Sequence, residues 1–167
     1  AGQTIVFCRT RHGADRVARQ LGQDGVTAAA IHGGRSQRQR DRALDDFTAG
    51  RVRALVATDV AARGIHVSEV ACVLHFDPPA DPKAYLHRSG RTARAGASGL
   101  VVSFVGSDQV RSTKSLQRSL GLDAALEVPH PAGLARPGGD RPPAFCADPR
   151  TVSVRRSARK GMGSRGT

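Results

Sequence analysis

Thr4-Ile5-Val6-Phe7-Cys8 is a short run of β-branched and aromatic side chains without polar alternation. A strand with one wet face alternates apolar and polar residues; a run like this one suits a strand buried on both faces, as inside a parallel sheet. Strand-sized runs recur at residues 26–31, 53–58, 71–76 and 99–105. Helical patterns fall between them. Ala14, Val17, Ala18 and Leu21 sit at helical spacing before Gly22 and Gly25. Ser36 and Gln39 have capping-box spacing and open a helix to about residue 48, with Leu44 and Phe47 on its buried side and Gly50 at its end. Asp81 can cap a short helix through Tyr85 and Leu86, and a last helix over 108–120 stops at Gly121. Strands alternating with helices imply βαβ units, right-handed crossovers and an α/β fold with a mainly parallel sheet. Ligands of such sheets collect beyond the carboxyl ends of the strands, which selects the loops after Cys8, after Thr58 and around residues 87–96.

The third of these loops carries the most chemistry. In His87-Arg88-Ser89-Gly90-Arg91-Thr92-Ala93-Arg94-Ala95-Gly96, arginines recur at a spacing of three among small residues. Guanidinium forks match pairs of phosphate oxygens, and this spacing turns successive forks to one side. Gly90 and Gly96 let the backbone bend and lie close to a ligand. In isolation the same run describes a solvated basic loop.

The chain has 167 residues, enough for one domain with a real core and a tail. Its net charge of +12 fits a polyanionic partner. Codon bias in a GC-rich genome is a second source of that charge, because the basic residues are almost all arginine and alanine and glycine abound. No apolar run reaches membrane-spanning length, and no secretion signal is apparent, so no membrane partner is expected. Cys8, Cys72 and Cys146 are far apart, which suits a reducing cytoplasm and leaves no metal-ligand spacing. Beyond about Val128 proline, glycine and arginine dominate, and residues 127–167 hold eight Lys or Arg against three acids. This composition reads as a disordered basic tail, either an RNA tether through residues 155–160 or a soluble extension.

Four motifs, in order, carry a family resemblance. Ile5-Val-Phe-Cys-Arg-Thr10 is the first; His32-Gly33 with Gln37-x-x-Arg40 and Leu44-x-x-Phe47 is the second. Leu55-Val-Ala-Thr-Asp-Val-Ala-Ala-Arg-Gly-Ile65 and His87-Arg-x-Gly-Arg-Thr-x-Arg-x-Gly96 complete the set. Residues 3 to about 122 resemble the C-terminal RecA-like lobe of a DEAD-box RNA helicase, most closely the bacterial enzymes. The resemblance implies a RecA-like parallel sheet sandwiched by helices over 1–126, followed by the tail over 127–167.

It also implies roles. Arg91 and Arg94 would reach a γ-phosphate held on a first lobe and stabilise the charge of phosphoryl transfer. Gly64 and His66 would lie beside the nucleotide. Thr10, Arg40, Thr58, Arg63 and Gly64 would meet RNA phosphates or ribose, contacts that position a strand without reading its sequence. His87 and Arg88 would couple the ATP and RNA sides. Each has a plainer alternative: capping or packing for Thr10 and Thr58, a helix charge facing Asp41 or Asp45 for Arg40, and a backbone-satisfied buried ring for His87. The family usually has aspartate where this chain has His66, which implies weaker or more pH-sensitive nucleotide binding.

The sequence has no phosphate loop, no Asp-Glu-Ala-Asp and no adenine-reading glutamine segment. ATP with Mg²⁺ would therefore be bound mainly by an N-terminal RecA-like lobe supplied in cis or in trans, and this chain alone is expected not to turn ATP over. Its start within strand one suggests a fragment, an excised domain or an incomplete gene model. The expected function is the RNA-binding, arginine-donating second lobe of an RNA-dependent ATPase. The alternative is a stand-alone, non-catalytic RNA-binding or protein-interaction module.

Overall fold

The computed structural model describes residues 2–65, 67, 70–92, 99–122, 126–127 and 151–157. Its elements alternate as the sequence implies. Strand β1 (Thr4–Cys8) leads into α1 (Arg11–Gln23), β2 (Ala28–Ile31) into α2 (Gln37–Thr48), and β3 (Ala54–Thr58) into a single helical turn, α3 (Asp59–Ala62). Strand β4 (Cys72–His75) precedes α4 (Pro82–Ser89); β5 (Leu100–Gly106) leads through a 3-10 turn into α5 (Val110–Ser119), and β6 (Leu126–Glu127) and β7 (Thr151–Ser157) follow. The sheet order is β2-β3-β1-β4-β5-β7-β6, and the first five strands are all parallel.

β1 is the inner strand that its composition requires. Thr4 faces Ala54 on one side and Cys72 on the other, so both neighbours come from much later in the chain. Its alternate side chains enter two cores. Ile5 and Phe7 pack on one face with Leu55, Phe47 and Tyr85; Val6 and Cys8 pack on the other with Val56 and with Val17 and Leu21 of α1. Burial pushes the Cys8 thiol up to about 12, with the Asp77 carboxylate adding to it, so the group stays protonated and inert.

The helix ends follow their capping residues. Thr10 Oγ1 accepts from Gly13 N at 3.0 Å, Ser36 and Gln39 form the reciprocal box, and Asp81 Oδ1 accepts from Ala84 N at 2.8 Å. β2 starts at Ala28 rather than at residue 26, because Val26 N donates to Leu21 O and completes the end of α1. The last helix likewise starts late, its first turn being the 3-10 turn Ser107–Gln109.

One stretch of the expected disordered tail takes regular backbone. β7 pairs antiparallel with β5 from Leu100↔Ser157 to Gly106↔Thr151, and β6 adds a short outer strand. Thr151-Val-Ser-Val154 has strand-like alternation that the surrounding Pro/Gly/Arg composition conceals. Residues 128–150 and 158–167 lie outside the described residues. Among the described residues, no helix is long and apolar enough to cross a membrane.

Candidate nucleic-acid and nucleotide interface

Parallel pairing brings the carboxyl ends of β1, β3 and β4 to one edge, and Cys8 is opposite Thr58 there. The chain leaves β3 through α3, whose four residues Asp-Val-Ala-Ala turn it back across that edge. Gly64 completes the reversal at φ +81°, a left-handed conformation that glycine adopts without steric cost. Arg63 and Gly64 are both exposed on this bend.

α4 and the turn that follows it grip the bend from two sides. Arg88 is 4 % exposed and sends two parallel bonds to one carboxylate: Nε to Asp59 Oδ1 at 2.7 Å and Nη2 to Asp59 Oδ2 at 2.6 Å. Its Nη1 donates to the Asp77 carbonyl at 2.7 Å, and the guanidinium stands 5.1 Å from the centre of the Phe7 ring. This single side chain therefore ties α4 to the ends of β3, β4 and β1, using the forked geometry peculiar to arginine. Arg91 holds the other side: Nη1 donates to Ile65 O at 2.5 Å and to Val67 O at 3.4 Å, and Nη2 to Ala62 O at 3.1 Å.

Gly90 sits between the two arginines at φ −68°, which any residue can adopt. Closeness is its reason: a β-carbon there would lie 3.0 Å from Leu86 O.

The other expected site residues are distributed around this bend. Thr58 is buried at the end of β3 and caps α3 without a side-chain bond. Thr10 is exposed at the end of β1, where its hydroxyl already serves the α1 cap. Among the described residues Arg40 forms no ion pair with Asp41 or Asp45; its Nη1 donates to Gln37 Oε1 at 3.2 Å and its Nη2 reaches Ala61 O at 3.5 Å. His87 is exposed on α4, which rules out the buried, backbone-satisfied ring. His66 and Arg94 lie outside the described residues. Among the described residues, no group of three or more His, Cys, Asp or Glu is placed to hold a metal ion.

Several residues that complete the network were not singled out from sequence. Asp59 is the main one, and an acid directly after a strand and at a helix N-terminus was its available signal. Asp77 contributes a carbonyl to Arg88 and accepts from Arg9 N at 2.7 Å through Oδ2. His75 is fully buried below Arg88; its Nδ1 pairs with Ser103 Oγ at 2.8 Å and its ring packs edge-on against Phe7 and Tyr85. Burial, helped by the Arg88 charge, pushes its pKa down to about 3 and keeps the ring neutral.

A five-stranded parallel sheet clothed by helices, with a basic loop gripping the end of β3, defines a RecA-like domain. The chain belongs to the helicase conserved C-terminal domain family, which it matches over residues 1–96. It is 41% identical over 135 residues to DEAD-box ATP-dependent RNA helicase 30 of Arabidopsis thaliana, covering 81% of this chain and 23% of that one. It is 40% identical over 134 residues to the ATP-dependent RNA helicase RhlB of Pseudomonas syringae, covering 80% of this chain and 34% of that one. Among solved structures, the C-terminal domain of the DEAD-box protein Dbp5 superposes with a TM-score of 0.67 at 35% identity, over 72% of this chain and 71% of that one. A Saccharomyces cerevisiae Dbp5 variant bound to RNA and ADP BeF3 gives 0.66 at 35%, over 72% and 32%. The lobe is thus a helicase C-terminal domain of the DEAD-box RNA helicase kind, and the chain spans about a quarter to a third of these curated relatives.

Proposed function

We propose that this chain is the second lobe of an ATP-driven RNA helicase of bacterial type, working in the cytoplasm. It closes with a first lobe over ATP and single-stranded RNA. The observation that carries this reading is the double grip of α4 and its following turn on the bend after β3. Arg88 on Asp59 and Arg91 on the Ala62, Ile65 and Val67 carbonyls make the arginine loop and the bend one mechanical unit. A displacement of the arginine loop on nucleotide binding is therefore transmitted to Thr58, Arg63 and Gly64.

In this reading the first lobe holds ATP and its magnesium, and the nucleotide supplies the phosphoryl group that is transferred to water. Arg94 and, after leaving its carbonyl partners, Arg91 place fixed positive charge beside the phosphates. His66 and Gly64 border the nucleotide. Thr10, Arg40, Thr58, Arg63 and Gly64 hold RNA through hydroxyl, guanidinium and backbone amide donors. The resemblance to the Dbp5 variant bound to RNA and ADP BeF3 supports both halves of the assignment.

The test is reconstitution. Adding the first lobe of a DEAD-box relative to this chain is expected to give phosphate release stimulated by oligouridine RNA. Arg94→Ala and Arg91→Ala should each lower it, by roughly a thousandfold for an arginine that acts as a finger. Turnover by the chain alone, or turnover in the mixture that survives both substitutions, overturns the reading.

One observation favours a second reading, in which the chain binds RNA without serving catalysis: Arg91 already has three carbonyl partners within its own lobe. RNA affinity that falls steeply with salt, is indifferent to Arg91→Ala and brings no turnover in the mixture would establish it.

A further inference from the structure

The free edge of the sheet offers a second place to bind. β2 is the outermost strand and, among the described residues, pairs only with β3. Main-chain groups of successive strand residues point alternately to the two sides. Thr27 O accepts from Ala54 N at 3.1 Å and so points at β3; residues 29 and 31 share that side. The N–H and C=O groups of Ala28 and Ala30 therefore point outward.

Two cavities, of 630 and 540 Å³, line this edge and share Ala28, Arg42 and Asp46, so they form one groove between α1 and α2. Its walls are low where an added strand would place its side chains, with Ala18 on α1 and Ala43 on α2. The rim is cationic: Arg19, Arg35, Arg42 and Arg51 stand against Asp15 and Asp46, a net charge of +2. The two carboxylates share three of these arginines, and the excess of two positive charges stays with the rim. Asp46 has Arg51 at 2.7 Å and Arg42 at 3.8 Å, and Asp15 has Arg35 at 2.6 Å.

We propose that this groove is a docking site for an extended acidic peptide of a partner protein, which adds to β2 as a new edge strand. Main-chain bonds to Ala28 and Ala30 supply the pairing, small apolar side chains fill the space above Ala18 and Ala43, and acidic flanks meet the arginine rim. The same charge selects against other occupants. The tail of this chain is basic, and a second copy of β2 would bring two cationic rims together. The groove shares no residue with the helicase site, so the proposal stands apart from the function assigned above.

The full chain would be panned against phage-displayed, strand-length peptides carrying Asp or Glu at both ends and Val, Ile, Leu or Phe alternating with Ser or Thr between. A matched library with Lys or Arg ends serves as control. Enrichment of the acidic library alone is expected, with selected peptides slowing hydrogen exchange at the Ala28 and Ala30 amides. Ala30→Pro removes an outward donor without touching the β3 ladder and should weaken binding about tenfold. Arg42→Glu combined with Arg51→Glu changes only exposed side chains and should weaken it as much, which keeps the test decisive if the proline variant does not fold. No enrichment, equal enrichment of the basic library, binding unchanged in both variants, or self-association through β2 each overturn the proposal.

Discussion

Two arginine–aspartate pairs stand at the carboxyl ends of neighbouring strands, and they are built to different specifications. After β3, Arg88 is 5 % exposed in its side chain and meets Asp59 through two parallel bonds plus a third to a backbone carbonyl. After β2, Arg35 is 38 % exposed and meets Asp15 through Nη2 alone, while His32 Nε2 takes the same oxygen at 2.9 Å. Gly34 N donates to His32 Nδ1, so the proton on that ring sits at Nε2 and is given to Asp15. The first pair joins segments 29 residues apart and ties the end of α4 to the bend after β3. The second clasps α1 to the loop after β2. The difference lies at the arginine end, since Asp59 is itself 40 % exposed: a buried guanidinium with two parallel bonds fixes one geometry, whereas a single bond between partly exposed partners is largely replaced by water when it opens.

That contrast is open to measurement, and the largest effect is expected at the forked pair. Arg88→Ala removes the donor from the Asp77 carbonyl and from an Asp59 carboxylate that water can reach, and strips the guanidinium from the Phe7 ring; it should lower the unfolding free energy by about 2 kcal/mol in urea titration. Arg88→Lys should recover only part of it, because an ammonium cannot make the paired bonds. Full recovery by lysine would show that charge, not the fork, holds the bend.

The next effect is a pH limb. His75 is neutral in the fold, with a pKa near 3, and takes up a proton near 6.5 once unfolded. The unfolded state binds more protons between those values, so stability falls as pH drops through that window, by up to about 1.4 kcal/mol per pH unit. His75→Gln should flatten the limb between pH 6 and pH 4 in thermal melts. An unaltered limb would place the proton uptake elsewhere.

Gly64→Ala should cost about 1 kcal/mol, since a β-carbon is strained at positive φ. If that variant folds with wild-type stability but RNA affinity falls, the bend matters as a ligand surface rather than as a turn.

The smallest effect belongs to the singly bonded pair. Partial burial of Asp15 raises its pKa, but the bonds from His32 and Arg35 outweigh this and hold it below the usual carboxylate value. Its contribution is present above the unfolded pKa and is lost as pH falls through the folded one. Asp15→Asn should remove that contribution, worth less than about 1 kcal/mol at neutral pH. A loss as large as that of Arg88→Ala would erase the distinction between the two strand ends.

Sequence made the scaffold legible where the governing interactions are local. The Thr4–Cys8 run announced an inner strand, and Ser36 with Gln39 announced a helix start to the residue, because a capping box closes within one turn. α3 escaped notice because four residues are too few to show a period. At the site, the family motifs marked Arg88 and Arg91 but not their partners: Asp59, Asp77 and the Ala62, Ile65 and Val67 carbonyls are brought near by the sheet, not by spacing. His75 went unremarked for the same reason. Its surroundings are Phe7, Tyr85 and Ser103, from three separate elements.

The register of β1 has a consequence for how the molecule is made. The earliest strand of this segment is the central one, and its two neighbours start 50 and 68 residues later, at Ala54 and Cys72. Such sequence-distant pairing gives the fold a high contact order, which slows folding. As the chain leaves the ribosome, Ile5, Val6 and Phe7 must wait as exposed apolar surface until β4 has been synthesised, the interval in which a holding chaperone has most to protect.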